Sequence, residues 1–120
     1  MKRKRERDDA LYARMLQVMA EKRLYLRKHL SRDDVAREVL TNRTYLTRAL
    51  KGRGLNFAQF VNSYRAQHAI GLLFDPRYRE ASPADIAEMS GFATVEAMNR
   101  YVKKSAGSTA CAMRKRVLKD

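Results

Sequence analysis

The chain has 120 residues, of which 45% are hydrophobic and 32% are charged, and this composition suits one domain with a modest core. Its 26 Lys and Arg residues outnumber 13 Asp and Glu, and the formal charge of +13 indicates a polyanionic partner such as nucleic acid, with evenly scattered surface charge as the alternative. A single cysteine excludes an internal disulfide and a cysteine-based zinc site, and no apolar run reaches the roughly 20 residues of a membrane span.

The first 30 residues are predicted to form a basic N-terminal arm and a leader helix. Residues 1–7 are a run of mostly charged side chains, which a solvated helix start explains better than a direct contact with DNA. From Asp8 to about Lys22, apolar residues recur at spacings of three and four and predict a helix with one apolar stripe. We expect this leader helix to pack on the elements that follow it.

A first helix-turn-helix is predicted over residues 31–55. Ser31 and Asp34 have the spacing of a capping box, in which a hydroxyl and a carboxylate satisfy free amides at a helix start. After a break, Asn42 is expected to cap a second helix. The residues expected on the inward side of that second helix are Tyr45, Leu46, Ala49 and Leu50. The residues expected on its outward side are Arg43, Thr44, Thr47, Arg48 and Lys51.

Residues 56–75 are predicted to form a long linker helix. Asn56 and Gln59 offer a capping box at its start, and Pro76 interrupts the apolar periodicity at its end. The residues expected on its apolar face are Phe57, Phe60, Val61, Tyr64, Ile70 and Leu73. The polar stretch that follows predicts a surface loop.

Residues 76–120 are predicted to form a second helix-turn-helix and a closing helix. Ser82 and Asp85 cap a short helix, which Gly91 is expected to end in the left-handed conformation. A further helix runs from about Thr94 until Gly107 stops it. The residues expected on the inward side of these helices are Ile86, Met89, Met98, Tyr101 and Val102. The residues expected on the outward side of the later helix are Glu96, Asn99, Arg100 and Lys103.

The two predicted helix-turn-helix units repeat one template, with one extra residue in the second connection. In the first copy the template residues are Asp34, Val35, Ala36, Leu46, Arg48 and Lys51. In the second copy they are Asp85, Ile86, Ala87, Met98, Arg100 and Lys103. A helical hairpin used only for packing is the alternative for either copy, but duplication together with the basic charge favours two DNA-binding units. The linker helix, about 27 Å long, is comparable to the ~34 Å between successive major-groove faces of DNA.

The outward residues carry the donors that major-groove reading requires. Arginine recognises guanine through two hydrogen bonds, and asparagine recognises adenine in the same way. On this chemistry the candidates for base contacts are Thr44, Thr47, Arg48, Asn99 and Arg100. Glu96 has two interpretations, since its carboxylate can accept from cytosine or can repel phosphate. The candidates for phosphate contacts are Arg43, Lys51, Lys103 and Lys104.

Residues 31–116 resemble the C-terminal DNA-binding domain of the AraC/XylS family of bacterial transcription regulators. The motifs that carry the resemblance are Asn62-Ser63-Tyr64-Arg65 with Ala69 and Leu72-Leu73, then Ile86-Ala87-Glu88-Met89-Ser90-Gly91-Phe92, then Lys103-Lys104, Gly107 and Arg114. The resemblance implies an all-α domain of seven helices, with two helix-turn-helix subdomains that bind adjacent major grooves. It also implies control of transcription, often through contact with RNA polymerase. The base-reading positions that it implies are Thr44, Thr47, Arg48, Val95, Glu96, Asn99 and Arg100.

The chain departs from the family pattern at several core positions. The family usually has aromatic residues at Leu50, Met98 and Val102, a proline at Ala110 and a tyrosine at Met113, and it usually has a glycine in the first turn. The second unit is therefore expected to have a softer core and a weaker hold on DNA.

Family members also carry a sensing or dimerisation region, so the chain is expected to be the C-terminal part of a longer cytoplasmic regulator. A second hypothesis makes the basic N-terminus the cytoplasmic exit of a membrane-tethered sensor.

Other function classes are less well supported by the sequence. His29 and His68 are isolated and Cys111 has no base beside it, so we expect no enzyme activity, cofactor, metal or small-molecule site. The alternatives to DNA binding are a basic helical RNA-binding module, which would depend on phosphates and shape, and a helical protein-interaction module.

Overall fold

The computed structural model describes residues 2–119, and all regular structure within them is helical. The α-helices of this range are α1 (Lys2–Lys22), α2 (Arg32–Glu38), α3 (Arg43–Lys51), α4 (Phe57–Leu73), α5 (Pro83–Met89), α6 (Val95–Ala106) and α7 (Ala110–Lys119). Two 3₁₀ turns lie in the connections: Leu24–Leu26 between α1 and α2, and Pro76–Tyr78 between α4 and α5. The predicted all-α class is confirmed, and the leader helix is the first of the seven. Met1 and Asp120, the outermost residues of the predicted arm and closing segment, lie outside the described residues.

The described chain divides into two compact units, the first ending at Phe60 and the second beginning at Val61. The division falls within α4, the predicted linker helix, which contributes residues to both units. The first unit includes α1, which the predicted boundary at residue 31 left outside the DNA-binding domain.

Two capping boxes begin the short helices α2 and α5, as predicted. The Ser31 hydroxyl accepts from the Asp34 amide at 3.1 Å, and the Ser31 amide donates back to the Asp34 carboxylate at 2.9 Å. Ser82 and Asp85 repeat the arrangement at 3.1 and 3.0 Å. The serine amides, and next the serine hydroxyls, hold the pKa of each aspartate below its usual value. These reciprocal bonds satisfy amides that a helix start leaves free.

The first unit is built around α3, against which both α1 and α2 pack. Its buried apolar residues are Leu11, Met15, Met19, Leu24, Tyr25, Val35, Ala36, Val39, Leu46, Ala49, Leu50 and Phe60. The leader helix thus packs on the following elements as predicted. It begins at Lys2 rather than near Asp8, because the helix continues through the charged residues before Asp8, of which residues 3–7 are exposed.

The second unit buries its core between α4, α5, α6 and α7. The core residues are Ala66, Ala69, Leu73, Ile86, Ala87, Phe92, Met98, Val102, Ala110 and Met113. The four family departures at positions 98, 102, 110 and 113 are therefore all interior, with exposed fractions of 1, 0, 1 and 6%. Two of these residues, Met98 and Met113, are methionines, whose flexible side chains can fill irregular gaps in a core.

Two helical residues that were predicted to face inward are exposed instead. Tyr45 is 45% exposed, and its ring packs against the guanidinium of Arg48 rather than in the core. Met89 is 36% exposed at the last position of α5, where the chain turns into the connection to α6.

The turn after each short helix has the same backbone conformation. Leu40 and Gly91 both have positive φ, 60° and 87°, and the next amide in each turn bonds back to the carbonyl of Ala36 or Ala87 at 2.9 Å. This hydrogen bond commonly closes the C-terminus of an α-helix when the residue that follows the helix adopts the left-handed conformation. The repeat read from the sequence therefore extends to the turns.

Candidate nucleic-acid interface

The first candidate surface is the outward side of α3. The Asn42 side chain accepts from the Tyr45 amide at 2.9 Å and caps the helix, while Leu46, Ala49 and Leu50 anchor the opposite side in the core. Of the predicted contact residues, Arg43, Thr44 and Lys51 are exposed, and Thr47 and Arg48 are half-buried. Apart from Tyr45, the residues of this helix face as predicted, with a polar and basic side directed to solvent.

Arg48 is held by two contacts that sequence reasoning missed. Its Nε and Nη2 both lie 3.1 Å from Oδ1 of Asp8 on α1, and its guanidinium carbon lies 4.8 Å from the centroid of the Tyr45 ring. The side chains of Arg48 and Asp8 are 32% and 19% exposed. A charge-assisted pair at this depth is shielded from water more than an ordinary surface pair.

Further ion pairs connect the first unit at more exposed positions. Arg43 lies 3.1 Å from Asp33 of α2, and Arg53 lies 3.1 Å from Asp9 of α1. The guanidinium of Arg53 also lies 4.6 Å from the Tyr12 ring centroid. Such exposed pairs add little to stability, so the pair between Arg43 and Asp33 can open at small cost.

The second candidate surface is the outward side of α6. Thr94 caps this helix by accepting from the Ala97 amide at 3.0 Å, and Gly107 ends it with φ of 80°. Glu96, Arg100, Lys103 and Lys104 are exposed, and Val95 and Asn99 are half-buried. The cations of Arg100 and Lys104 lie 5.3 and 5.5 Å from the Tyr101 ring, which stacks on Phe92 at 6.3 Å. The aromatic pair therefore supports the basic side of α6.

Asn99 is directed toward α7 rather than toward open solvent. Its amide oxygen accepts from the backbone amide of Cys111 at 3.2 Å, and its amide nitrogen lies 3.5 Å from the Cys111 sulfur. An asparagine that reads adenine needs both of these groups. Adenine recognition by Asn99 would therefore require the bonds to Cys111 to be exchanged, and the lone cysteine acquires a structural role that sequence reasoning missed.

The remaining singled-out residues lie outside both surfaces. His68 contacts the buried Ser90 at 3.1 Å, and His29 is exposed. Arg114 donates to the carbonyls of Tyr78, Arg79 and Ala81 and so anchors α7 to the connection between α4 and α5. Among residues 2–119, no three His, Cys, Asp or Glu side chains cluster as metal ligands would, and none of the helices has the length and apolar character of a membrane span.

Comparison with known proteins relates the chain to DNA-binding regulators. A family model described as a helix-turn-helix domain matches residues 35–116. The TCP pilus virulence regulatory proteins of two strains of Vibrio cholerae serotype O1 are 33% identical over 72 residues, which is 60% of this chain and 25% of theirs. The crystal structure of a DNA-binding transcriptional dual regulator from Escherichia coli K-12 matches with a TM-score of 0.73 at 17% identity, over 92% of this chain and 94% of that one. At that identity the structural match concerns the fold alone.

Proposed function

Because the chain belongs to the helix-turn-helix domain family of AraC/XylS type, we propose that it is the sequence-specific DNA-binding domain of a bacterial transcription regulator. One observation carries the proposal: each unit presents a capped helix whose inward side is anchored in a core and whose outward side carries an arginine. Those arginines, Arg48 and Arg100, occupy equivalent positions of the repeat. The formal charge of +13 supports the same partner, since DNA binding draws much of its affinity from phosphate neutralisation.

The proposed mechanism divides the outward residues into two roles. The base-reading set comprises Thr44, Thr47 and Arg48 on α3 and Val95, Glu96, Asn99 and Arg100 on α6. Arg48 and Arg100 each recognise a guanine through O6 and N7, while Val95 provides apolar contact with a base edge. The phosphate-binding set, which fixes the position of each helix on the duplex, comprises Arg43, Lys51, Lys103 and Lys104. Both helices are proposed to enter adjacent major grooves of one duplex.

The proposal extends to a longer parent protein. The segment that aligns with the Vibrio cholerae regulators covers only 25% of their length, which leaves room in proteins of that kind for a sensing or dimerisation region. We propose that such a region accompanies this domain, that the protein acts in the cytoplasm, and that the domain controls transcription through RNA polymerase.

Selection of bound sequences from a random duplex pool tests the function directly. We expect enrichment of two short boxes about one helical turn, roughly 10 base pairs, apart. The selected duplex should bind about 10³-fold or more tightly than random duplex, and RNA should not compete comparably. A pool that shows no enrichment, or a protein that RNA displaces as readily as the selected duplex, would exclude sequence-specific DNA binding.

A further inference from the structure

We propose that Asp8 of α1 is a positioning residue that fixes the guanidinium of Arg48 for the reading of one guanine. The inference rests on the proposed base-reading role of Arg48 and adds a specificity-determining residue from outside the helix-turn-helix. It assigns to α1 a part in recognition although α1 contributes no base contact of its own.

The geometry leaves the correct edge of the guanidinium free. Nε of Arg48 donates to Oδ1 of Asp8 at 3.1 Å, and Nη2 lies at the same distance from that oxygen. A guanidinium has five N–H donors in a fixed plane, so occupation of the Nε side leaves the Nη1–Nη2 edge for a second bidentate partner. Guanine offers the matching pair of acceptors, O6 and N7, in the major groove.

A second contact restrains the guanidinium in the direction perpendicular to its plane. Its carbon lies 4.8 Å from the centroid of the Tyr45 ring, so Tyr45 covers one face while Asp8 fixes one edge. An arginine side chain loses rotamer freedom on immobilisation, and here part of that loss occurs on folding. Preorganisation of this kind strengthens the contact that follows because less entropy is lost on binding.

The second unit lacks an equivalent arrangement. Arg100 is exposed, contacts the Tyr101 ring at 5.3 Å, and makes no ion pair within residues 2–119. At equivalent positions of the repeat, therefore, Arg48 is held by an ion pair and Arg100 is not. The base read by Arg100 serves as an internal control.

A matched control variant lies next to Asp8. Asp9 pairs with Arg53 at the same distance, 3.1 Å, but Arg53 follows the end of α3 and is absent from the proposed base-reading set. Asp8→Asn and Asp9→Asn therefore remove the same charge from adjacent positions of α1. Any difference between them excludes a general electrostatic effect on DNA affinity.

The test uses the full 120-residue chain and the duplex obtained by selection. Arg48→Ala first identifies the guanine at which preference is lost, and affinities are then measured for that duplex and for the same duplex with the guanine replaced. We expect Asp8→Asn to lower the preference for guanine by about fivefold or more, toward the value for Arg48→Ala, since a bidentate contact is worth roughly 5- to 150-fold in discrimination. Asp9→Asn should keep the preference of the parent, and the position read by Arg100 should be unchanged in both variants.

The outcomes separate the inference from the proposed function. If Arg48→Ala relaxes no base position, base reading by Arg48 is wrong and the inference falls with it. If Arg48→Ala relaxes a position but Asp8→Asn does not, only the inference is overturned. Uniformly tighter DNA binding by Asp8→Asn with an unchanged base preference also overturns it, because Asp8 would then only weaken DNA binding and not position Arg48.

A measurement without DNA keeps the inference testable should Asp8→Asn fold poorly. In the free parent protein the Arg48 Nε–H resonance should report a charge-assisted hydrogen bond, and Asp9→Asn should leave it in place. Asp8→Glu retains the charge on a longer side chain and should restore part of the guanine preference that Asp8→Asn loses. An Arg48 Nε–H signal typical of a freely solvated side chain in the parent protein would overturn the inference.

Discussion

Leu40 adopts a backbone conformation that its side chain disfavours. Its φ of 60° lies in the left-handed region, and its side chain is 92% exposed, so no burial offsets the strain. Gly91, at the equivalent place in the second unit, adopts φ of 87° without a Cβ to clash. The first turn therefore contains removable strain that the second turn does not.

Leu40→Gly is expected to stabilise the protein by about 1 kcal/mol, because the left-handed conformation costs a residue with a Cβ roughly 1–2 kcal/mol and glycine recovers most of it. Urea unfolding followed by circular dichroism measures the effect as a higher midpoint. Gly91→Ala is the reciprocal variant and should lower the midpoint. An unchanged midpoint for Leu40→Gly would show that the Leu40 backbone is not strained.

Single substitutions on the outward side of α3 and α6 should separate base readers from phosphate binders. Arg48→Ala and Arg100→Ala are each expected to cost about 1–3 kcal/mol on the selected duplex and to relax preference at one base position. Lys51→Ala should instead weaken all sequences alike and reduce the salt slope by about one. Affinities for single-base variants at several salt concentrations check both statements. Uniform loss in all three variants would mean that the arginines touch phosphates only.

At the scale of single residues, the sequence predicts which side of a helix a residue faces better than it predicts the partners of that residue. Periodicity placed Arg48 and Asn99 on the outward sides because an interval of three or four residues is a local property. Their partners, Asp8 and Cys111, lie 40 and 12 residues away, and spacing in the sequence carries no signal for such contacts. Tyr45 was also placed wrongly, although the partner of its ring, Arg48, is only three residues away, because apolar periodicity does not distinguish a buried ring from one that packs against a guanidinium at the helix surface.

The two short helices α2 and α5 depend on the charge of their capping carboxylates. Hydrogen bonds from Ser31 and Ser82 lower the pKa of Asp34 and Asp85, so both aspartates bind protons more weakly in the folded than in the unfolded state. Stability from this source is fully present above the unfolded pKa of about 4. It is lost as the pH falls from there through the lowered folded values.

Acid unfolding of the parent and of the double variant Asp34→Asn/Asp85→Asn tests this coupling. Below about pH 4, the stability of the parent should fall more steeply than that of the double variant, because asparagine retains an acceptor but does not titrate. Urea midpoints measured between about pH 6 and pH 3 give the two slopes. Parallel slopes would show that the capping carboxylates do not contribute to the acid response.

At the scale of elements, helix starts and stops were the most predictable features. The capping residues Ser31, Asn42 and Ser82 and the terminating Gly107 act within one turn of chain, so their chemistry is legible in the sequence. The start of α1 was less predictable, because this helix (Lys2–Lys22) begins within a run of charged residues that has no apolar periodicity. Helix propensity alone supports that extension, and propensity is weaker evidence than burial.

At the scale of the whole molecule, the charge of +13 is distributed over both units rather than confined to one helix. Several cations in the first unit already have carboxylate partners, as Arg48 does with Asp8 and Arg43 with Asp33. Lys103 and Lys104 of the second unit are exposed and make no ion pair within residues 2–119. If both units bind one duplex, these two lysines are available for phosphates without the loss of an internal pair.

The double variant Lys103→Ala/Lys104→Ala should therefore flatten the dependence of log K on log salt by about two, since each phosphate contact to B-DNA contributes about −0.9 to the slope. The parent should protect about 15–20 base pairs of the selected duplex, and the variant should lose protection over the box assigned to α6 while it keeps the box assigned to α3. Lys115→Ala/Arg116→Ala removes two exposed cations of α7 that have no proposed phosphate partner, and it should change the slope by less than one. Equal effects of the two double variants would mean that the lysines of α6 contact DNA phosphates no more than the cations of α7 do. Loss of both boxes together would mean that the units bind DNA only as a single cooperative body.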